Sequence, residues 1–251
     1  MPAEESTPAI VLRARDYSES DRIVTLLTRE FGKLSGIAKG AKASRRRFER
    51  KLEPFSHVNL FFRRRPQGQL VFITRAEPGD SRPPAIEDDL AKIALGSYML
   101  ELADALTSEE AEAVDAYHIL VRALDTLGGG AASLAIRQSF ELNLLRAAGF
   151  GLAFGHCRIC AGGEGTVGGA VYFVVSRGGI VCTRCRPQAP EGAVRLSAAS
   201  AAALATLAAA PIEESGNLAP SGSEGALAIA RFLASILDRK LRSVEFLDSL
   251  L

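Results

Sequence analysis

The sequence predicts an α+β multidomain chain: an N-terminal five-stranded β-barrel of the OB type, then an α-helical domain with an inserted four-cysteine module. Three observations predict this. Residues 1–80 hold five short β-rich runs and no helical period, the apolar period turns helical from Ile86 onward, and all four cysteines fall into two Cys-x-x-Cys pairs in the second half. The expected domains are 1–80 for the barrel, 81–155 with 190–251 for the helices, and 156–189 for the module.

The barrel strands are expected at Ala9 to Arg15, Asp21 to Arg29, Gly32 to Lys39, Phe55 to Arg64 and Gln69 to Arg75, after a disordered lead-in of seven residues. Asp16 to Ser20 and Pro66-Gln67-Gly68 supply the first and last turns. Five strands in about 80 residues match an OB barrel in count and size, and an SH3-like barrel fits the same pattern. Pro78-Gly79-Asp80-Ser81-Arg82-Pro83-Pro84 has the composition of a linker.

Helices are expected at Ile86 to Leu106, Ser108 to Leu127 and Ala131 to Ala148, with Gly128-Gly129-Gly130 and Gly149 as stops. In the third, Leu134, Phe140, Leu144 and Leu145 fall near one face, and the acidic residues of these helices read as a solvated face. Ser197 to Ala210, Gly225 to Leu241 and Val244 to Leu251 close the domain, with Ile229, Phe232, Leu233, Ile236 and Leu237 inward.

Cys157, Cys160, Cys182 and Cys185 have the spacing of a tetrahedral zinc site, because two residues between thiolates let one tight turn present both sulfurs to one ion. The 21 residues between the pairs hold a hairpin of their own, Ala170 to Val175 and Ile180-Val181 about an Arg177-Gly178-Gly179 turn, which returns Cys182 toward Cys157. Four thiolates leave no position open for water, so the expected Zn2+ is structural. His156 is expected to stay outside the shell. The start Met1-Pro2-Ala3-Glu4-Glu5 is acidic and no apolar run follows it, so a reducing, cytoplasmic setting is expected and disulfides are not, with nucleoid association expected if the chain binds DNA.

A net charge of +1 hides an asymmetry: residues 1–80 sum to +6 and residues 81–155 to −6. From Lys33 to Lys51 the chain carries eight basic residues and a single acid, and Arg63, Arg64 and Arg65 form a second cluster. Such a run repels itself unless an anion neutralises it, and phosphate backbones do so with release of counterions. On a barrel of OB size, nucleic acid is the expected anion. Phe48, inside the basic run, is the expected stacking residue, and Arg184, Arg186 and Arg195 offer a second path.

No run of about 18 apolar residues marks a membrane span. The string Gly163-Glu-Gly165-Thr-Val-Gly168 spells a dinucleotide fingerprint but lacks the strand, helix and βαβ unit that give those glycines their role. With no nucleophile triad, no phosphate-cradling Gly-x-x-x-x-Gly-Lys loop and only three scattered histidines, His57, His118 and His156, the sequence favours a binding protein over an enzyme.

The run Ile10-Val-Leu-Arg-Ala-Arg-Asp-Tyr-Ser-Glu-Ser-Asp21, with Leu27-Thr28-Arg29-Glu30-Phe31-Gly32-Lys33, Ala38-Lys39-Gly40-Ala41 and Leu241 to Leu247, resembles the recombination-mediator family RecO. The likeness covers nearly the whole chain. It implies a non-catalytic protein that binds single- and double-stranded DNA, anneals complementary strands and acts with RecR to help load RecA onto DNA coated by single-strand binding protein. It also implies Lys33, Lys39, Lys42, Arg45, Arg46, Arg47, Arg50 and Lys51 as phosphate contacts, with Arg63, Arg64, Arg65 and Arg195 secondary. The alternative is a zinc-stabilised interaction adaptor whose basic barrel grips an acidic partner, such as the acidic C-terminal tail of single-strand binding protein.

Overall fold

Runs of Val, Ile, Leu, Thr and Phe bounded by turn residues form strands, and in the N-terminal unit several of these alternate buried with half-buried positions, one face turned to an interior. A computed structural model describes residues 3–44, 47–48, 50–64, 70–79, 86–109, 113–162 and 169–251. The expected linker from residue 80, the 66–68 turn and the 163–168 glycine string lie outside those residues.

The strands are β1 (Glu5–Asp16), β2 (Arg22–Thr28), β3 (Gly32–Ala38), β4 (His57–Arg63) and β5 (Val71–Pro78). They close into a barrel in the order β1-β2-β3-β5-β4, which settles the OB-like over the SH3-like reading. β1 has 12 residues and a bulge between Val11 and Arg13, so it pairs with β2 along its C-terminal part and with β4 along its N-terminal part. The lead-in is therefore shorter than expected. Glu5, Ser6 and Thr7 pair with Phe62, Phe61 and Leu60, because the barrel has no other way to cover that edge of β4.

Closure depends on a short parallel contact between β3 and β5, Gly36 with Val71 and Ile37 with Phe72. Glycine suits that point because a Cβ on residue 36 would sit 2.7 Å from Cγ1 of Ile73 and 2.9 Å from Cγ2 of Val71. The interior is filled by Val11, Val24, Leu26, Leu60, Phe62 and Ile73.

Two helices follow, α1 (Leu90–Leu106) and α2 (Val114–Gly129). α1 starts four residues later than expected because the Asp89 carboxylate caps it, accepting from the backbone N–H of Ala91 and Lys92. α2 starts at Val114, not Ser108, because Glu109 is drawn into a bridge with Lys33 on β3. The helices pack on β1 and β2, so the chain divides into units Met1–Gly129 and Gly130–Leu251, where the expected division fell at the linker. The physical reason is the packing of α1 on the barrel, where the Gly96 backbone approaches the Phe55 ring closely enough to leave a Cβ only 2.9 Å of room.

The second unit contains α3 (Leu134–Ala147), β6 (Ala170–Val174), β7 (Gly179–Cys182), β8 (Val194–Ser197), α4 (Ala198–Ala209), α5 (Gly222–Ile236) and α6 (Ser243–Asp248). The strands form a sheet in the order β7-β6-β8, and β8 is an addition to the expected hairpin. Gly178, at φ +56, makes the turn between β6 and β7.

α3 departs from its one-sided reading. Gln138, Ser139, Glu141 and Asn143 are buried with the apolar residues, and each has a partner. The Gln138 side chain donates to Ser221 Oγ at 2.7 Å and accepts from the Ser221 N–H at 3.0 Å, while Glu141 pairs with Arg137 at 2.9 Å. Burial of polar groups is tolerated when they are satisfied in this way. Among the described residues no helix is long and apolar enough to cross a membrane.

Because β3 and β5 meet through so few residues, Gly36→Val should overpack the closure. We expect a loss of about 1–3 kcal/mol of stability, read as a lower urea midpoint by far-UV circular dichroism. An unchanged midpoint would mean that Ile73 yields at no cost.

Candidate metal centre and nucleic-acid interface

The β6–β7 hairpin performs the return that the cysteine spacing requires. Cys182 ends β7, Cys185 lies in the 3-10 turn Thr183–Gln188, and the Cys157 and Cys160 turn is held to β7 by the bond from Arg158 N–H to the Ile180 carbonyl, 2.9 Å. All four Sγ atoms lie within 4.8 Å of one another, and Cys160 and Cys182 are 3.9 Å apart. Four sulfurs around a tetrahedral zinc, each at about 2.3 Å, are about 3.8 Å apart, so the cluster fits that ion. His156 is exposed and outside the cluster.

The surroundings favour thiolate at the first pair. Burial pushes the Cys157 thiol up, but backbone N–H groups, among them those of Cys182 at 3.4 Å and Ile159 at 3.5 Å, more than offset it and bring it down to about 6. Cys160 is lowered by the Gly162 N–H and by Arg184, whose guanidinium is 3.7 Å from its sulfur. Burial, with the neighbouring sulfurs, pushes Cys185 up to about 12. Cys157, Cys182 and Cys185 are buried over Val174 and Val181, whereas Cys160 is exposed.

The basic segment between β3 and β4 is pinned by apolar side chains. Phe48 is 3% exposed and Leu52 1%, both in the barrel core. Phe48 is therefore not available as a stacking surface, contrary to expectation, since removing it would open the core. Around it, Lys39, Lys42, Arg47 and Arg50 are exposed and Lys51 is half-buried. Arg47 lies 5.0 Å over the Phe48 ring and donates to the Lys39 carbonyl at 3.1 Å. Lys42 pairs with Asp16 at 2.9 Å. Arg45, Arg46 and Arg65 lie outside the described residues.

Lys33 is a correction. Its ammonium is turned inward, 2.6 Å from the Asp104 carbonyl and 3.3 Å from the Asp104 carboxylate, with the side chain 14% exposed. It ties β3 to α1 and does not face a phosphate. Arg63 and Arg64 are half-buried, paired with Glu4 at 4.0 Å and Glu5 at 3.2 Å. Arg195 is exposed on β8, Arg184 serves the cysteine cluster, and Arg186 stacks 5.2 Å over Tyr172.

The sequence reading leaves out Arg22. With Lys42, Arg50 and Phe48 it lines a cavity of about 560 Å³ beside the basic segment, and its guanidinium bonds Glu53 at 2.6 Å. Its position at the start of a strand facing that segment becomes visible only when β2 pairs with β3. The second unit holds a groove of about 720 Å³ lined by Phe150, Leu152, Val174, Phe232 and Ile236, with Arg158 in its wall.

Two family profiles account for nearly the whole chain. Residues 1–82 match "Recombination protein O N terminal", which is the barrel, and residues 87–245 match "Recombination protein O C terminal". A protein of Anaeromyxobacter sp. (strain Fw109-5) named "DNA repair protein RecO" is 42% identical over 246 residues, covering 95% of this chain and 93% of that protein. Proteins of the same name from Nocardioides sp. (strain ATCC BAA-499 / JS614) and Syntrophus aciditrophicus (strain SB) are 35% and 31% identical, covering 96% and 99% of this chain and 97% and 96% of theirs. A closed barrel in the first profile, a four-cysteine cluster in the second and this continuous likeness leave one assignment: the chain belongs to the RecO family.

Proposed function

We propose that this chain is a non-catalytic DNA-binding and strand-annealing protein of recombinational DNA repair, which acts with RecR to help load RecA onto DNA coated by single-strand binding protein. The observation that carries the reading is the set of outward cations, Lys39, Lys42, Arg47 and Arg50, held on a barrel that belongs to a recombination family. Neutralising phosphates on two strands removes the repulsion that opposes their pairing, so annealing needs no catalytic group. Arg45, Arg46 and Lys51 of the same stretch of sequence are further candidate contacts, and Arg64 and Arg195 are secondary ones.

The groove of the second unit supports a place for the acidic, apolar-ended tail of single-strand binding protein. Its apolar lining suits the apolar end, while Arg158 in its wall and Arg231, bonded to the lining residue Gly192 at 2.9 Å, complement the acids. The four cysteines hold a structural Zn2+, which supplies a cross-link between the Cys157–Cys160 turn and the end of β7.

Binding of a fluorescent single-stranded oligonucleotide across a salt series tests the DNA reading. If about six phosphates are neutralised, log affinity should fall with log salt at a slope of about −4. Lys39→Glu with Arg47→Glu should weaken binding of all sequences alike and flatten the slope, because backbone contacts carry no base information. Binding that is insensitive to salt, or a loss confined to one sequence, would contradict it.

Metal analysis should find one zinc per chain. A structural zinc contributes on the order of 10 kcal/mol to folding, so a chelator or Cys157→Ser should melt the second unit at a lower temperature than the barrel. An iron content, or an unchanged melting curve after metal removal, would count against this assignment.

A further inference from the structure

With Phe48 committed to the core, the basic segment's own aromatic ring among the described residues cannot serve as the stacking surface that single-strand binders commonly use. The turn between β1 and β2 supplies a different one. Tyr17 is 64% exposed, the most exposed large hydrophobic side chain among the described residues. An isolated exposed aromatic on a loose loop would carry little weight, but this turn is built as a support. Tyr17 and Ser18 donate backbone N–H groups to the Asp21 carbonyl at 3.0 and 3.4 Å, and the Ser18 hydroxyl accepts from the Asp21 N–H at 3.1 Å.

The same turn is fastened to the basic segment at three points. Lys42 N–H donates to the Ser20 carbonyl at 3.1 Å, Gly40 N–H donates to the Asp21 carboxylate at 2.9 Å, and Lys42 pairs through its ammonium with Asp16. Asp16 also takes a bond from Arg22 at 3.2 Å. Two of the three acids of the turn are thus engaged by donors of the basic segment and β2, leaving Glu19 as the other exposed carboxylate. An exposed ring is carried on a braced turn directly beside Lys39 and Lys42.

The loop between the first two strands of an OB barrel is one of the places where such folds hold oligonucleotides, and an aromatic ring beside a cationic track accepts a base of any identity on its face. We propose that Tyr17 is the base-stacking platform of this protein, taking one unpaired base while Lys39, Lys42, Arg47 and Arg50 hold the adjoining phosphates. The inference rests on the DNA-binding reading above and adds to it a preference for single strands, because the bases of a duplex are already stacked on one another.

The chain contains no tryptophan, so Tyr17→Trp places a unique indole at this position. Adding unlabelled single-stranded oligonucleotide should quench its emission, with a midpoint matching the affinity read independently from the anisotropy of a labelled oligonucleotide. Tyr17→Ala should weaken single-strand binding about tenfold, with the salt slope and duplex binding unchanged, and Tyr17→Phe should retain the affinity. Normal binding by anisotropy with no quenching and no loss in Tyr17→Ala would overturn the inference while leaving the DNA reading intact. Intact oligonucleotide binding by Tyr17→Ala together with weakened capture of RecR would make Tyr17 a protein contact and overturn it as well. If the wild type binds no oligonucleotide, the DNA reading itself fails and the stacking role with it.

Discussion

Burial of one ring, Phe48, determines where the charge of the N-terminal unit can act. A basic segment repels itself and has little reason to stay near a small barrel, yet removing a phenylalanine from water is worth about 2–3 kcal/mol. Phe48 and Leu52 enter the barrel core, while Lys39, Lys42, Arg47 and Arg50 around them stay exposed. Arg47 shows both demands on one residue, with its guanidinium on the Phe48 ring and its chain exposed. The turn that carries Tyr17 depends on the same anchor, since its partners Gly40 and Lys42 belong to the pinned segment.

The second unit meets a different constraint. Its sheet has three short strands, and four of the ten buried residues of α3 are polar. Gln138 is satisfied by Ser221 across 83 residues of sequence, and Arg137 joins Glu141 to Asp248 of the last helix. Such satisfied contacts let the helices bury polar side chains without leaving unpaired groups in the interior. The cysteine cluster, with the geometry to hold a metal ion, lies where the apolar core beneath, Val174 and Val181, is small.

Much of this was legible in the residues. Strand periodicity and turn residues located five barrel strands to within a few positions, and the Cys-x-x-Cys spacing located the cluster, because both signals are local. Contacts between distant residues were not legible. Lys33 looked like any other cation of the basic run until Asp104, 71 residues later, came to lie against it. Phe48 was read by its charged neighbours when its fate was set by the barrel interior. The boundary between units was drawn at a Pro/Gly-rich stretch, a reliable sign of a turn, whereas α1 and α2 pack back on the barrel. The one-sided reading of α3 failed because polar partners such as Ser221 lie on another element.

β1 serves two neighbours at different distances along the chain, and this has a consequence for the order in which the protein forms. Its pairing with β2 closes a short turn, so that hairpin can appear as soon as about thirty residues exist. Its pairing with β4, Glu5 with Phe62 and Ile10 with His57, has to wait for a chain twice as long, and the closing contact of β3 needs β5 as well. Loops of that span are entropically costly to close and slow to find. The cysteine cluster spans fewer than thirty residues and contains its own hairpin. During synthesis the first-made unit therefore keeps an open sheet edge for longest relative to its size, and that edge, with the basic segment still unpinned beside it, is the protein's period of greatest exposure to wrong partners.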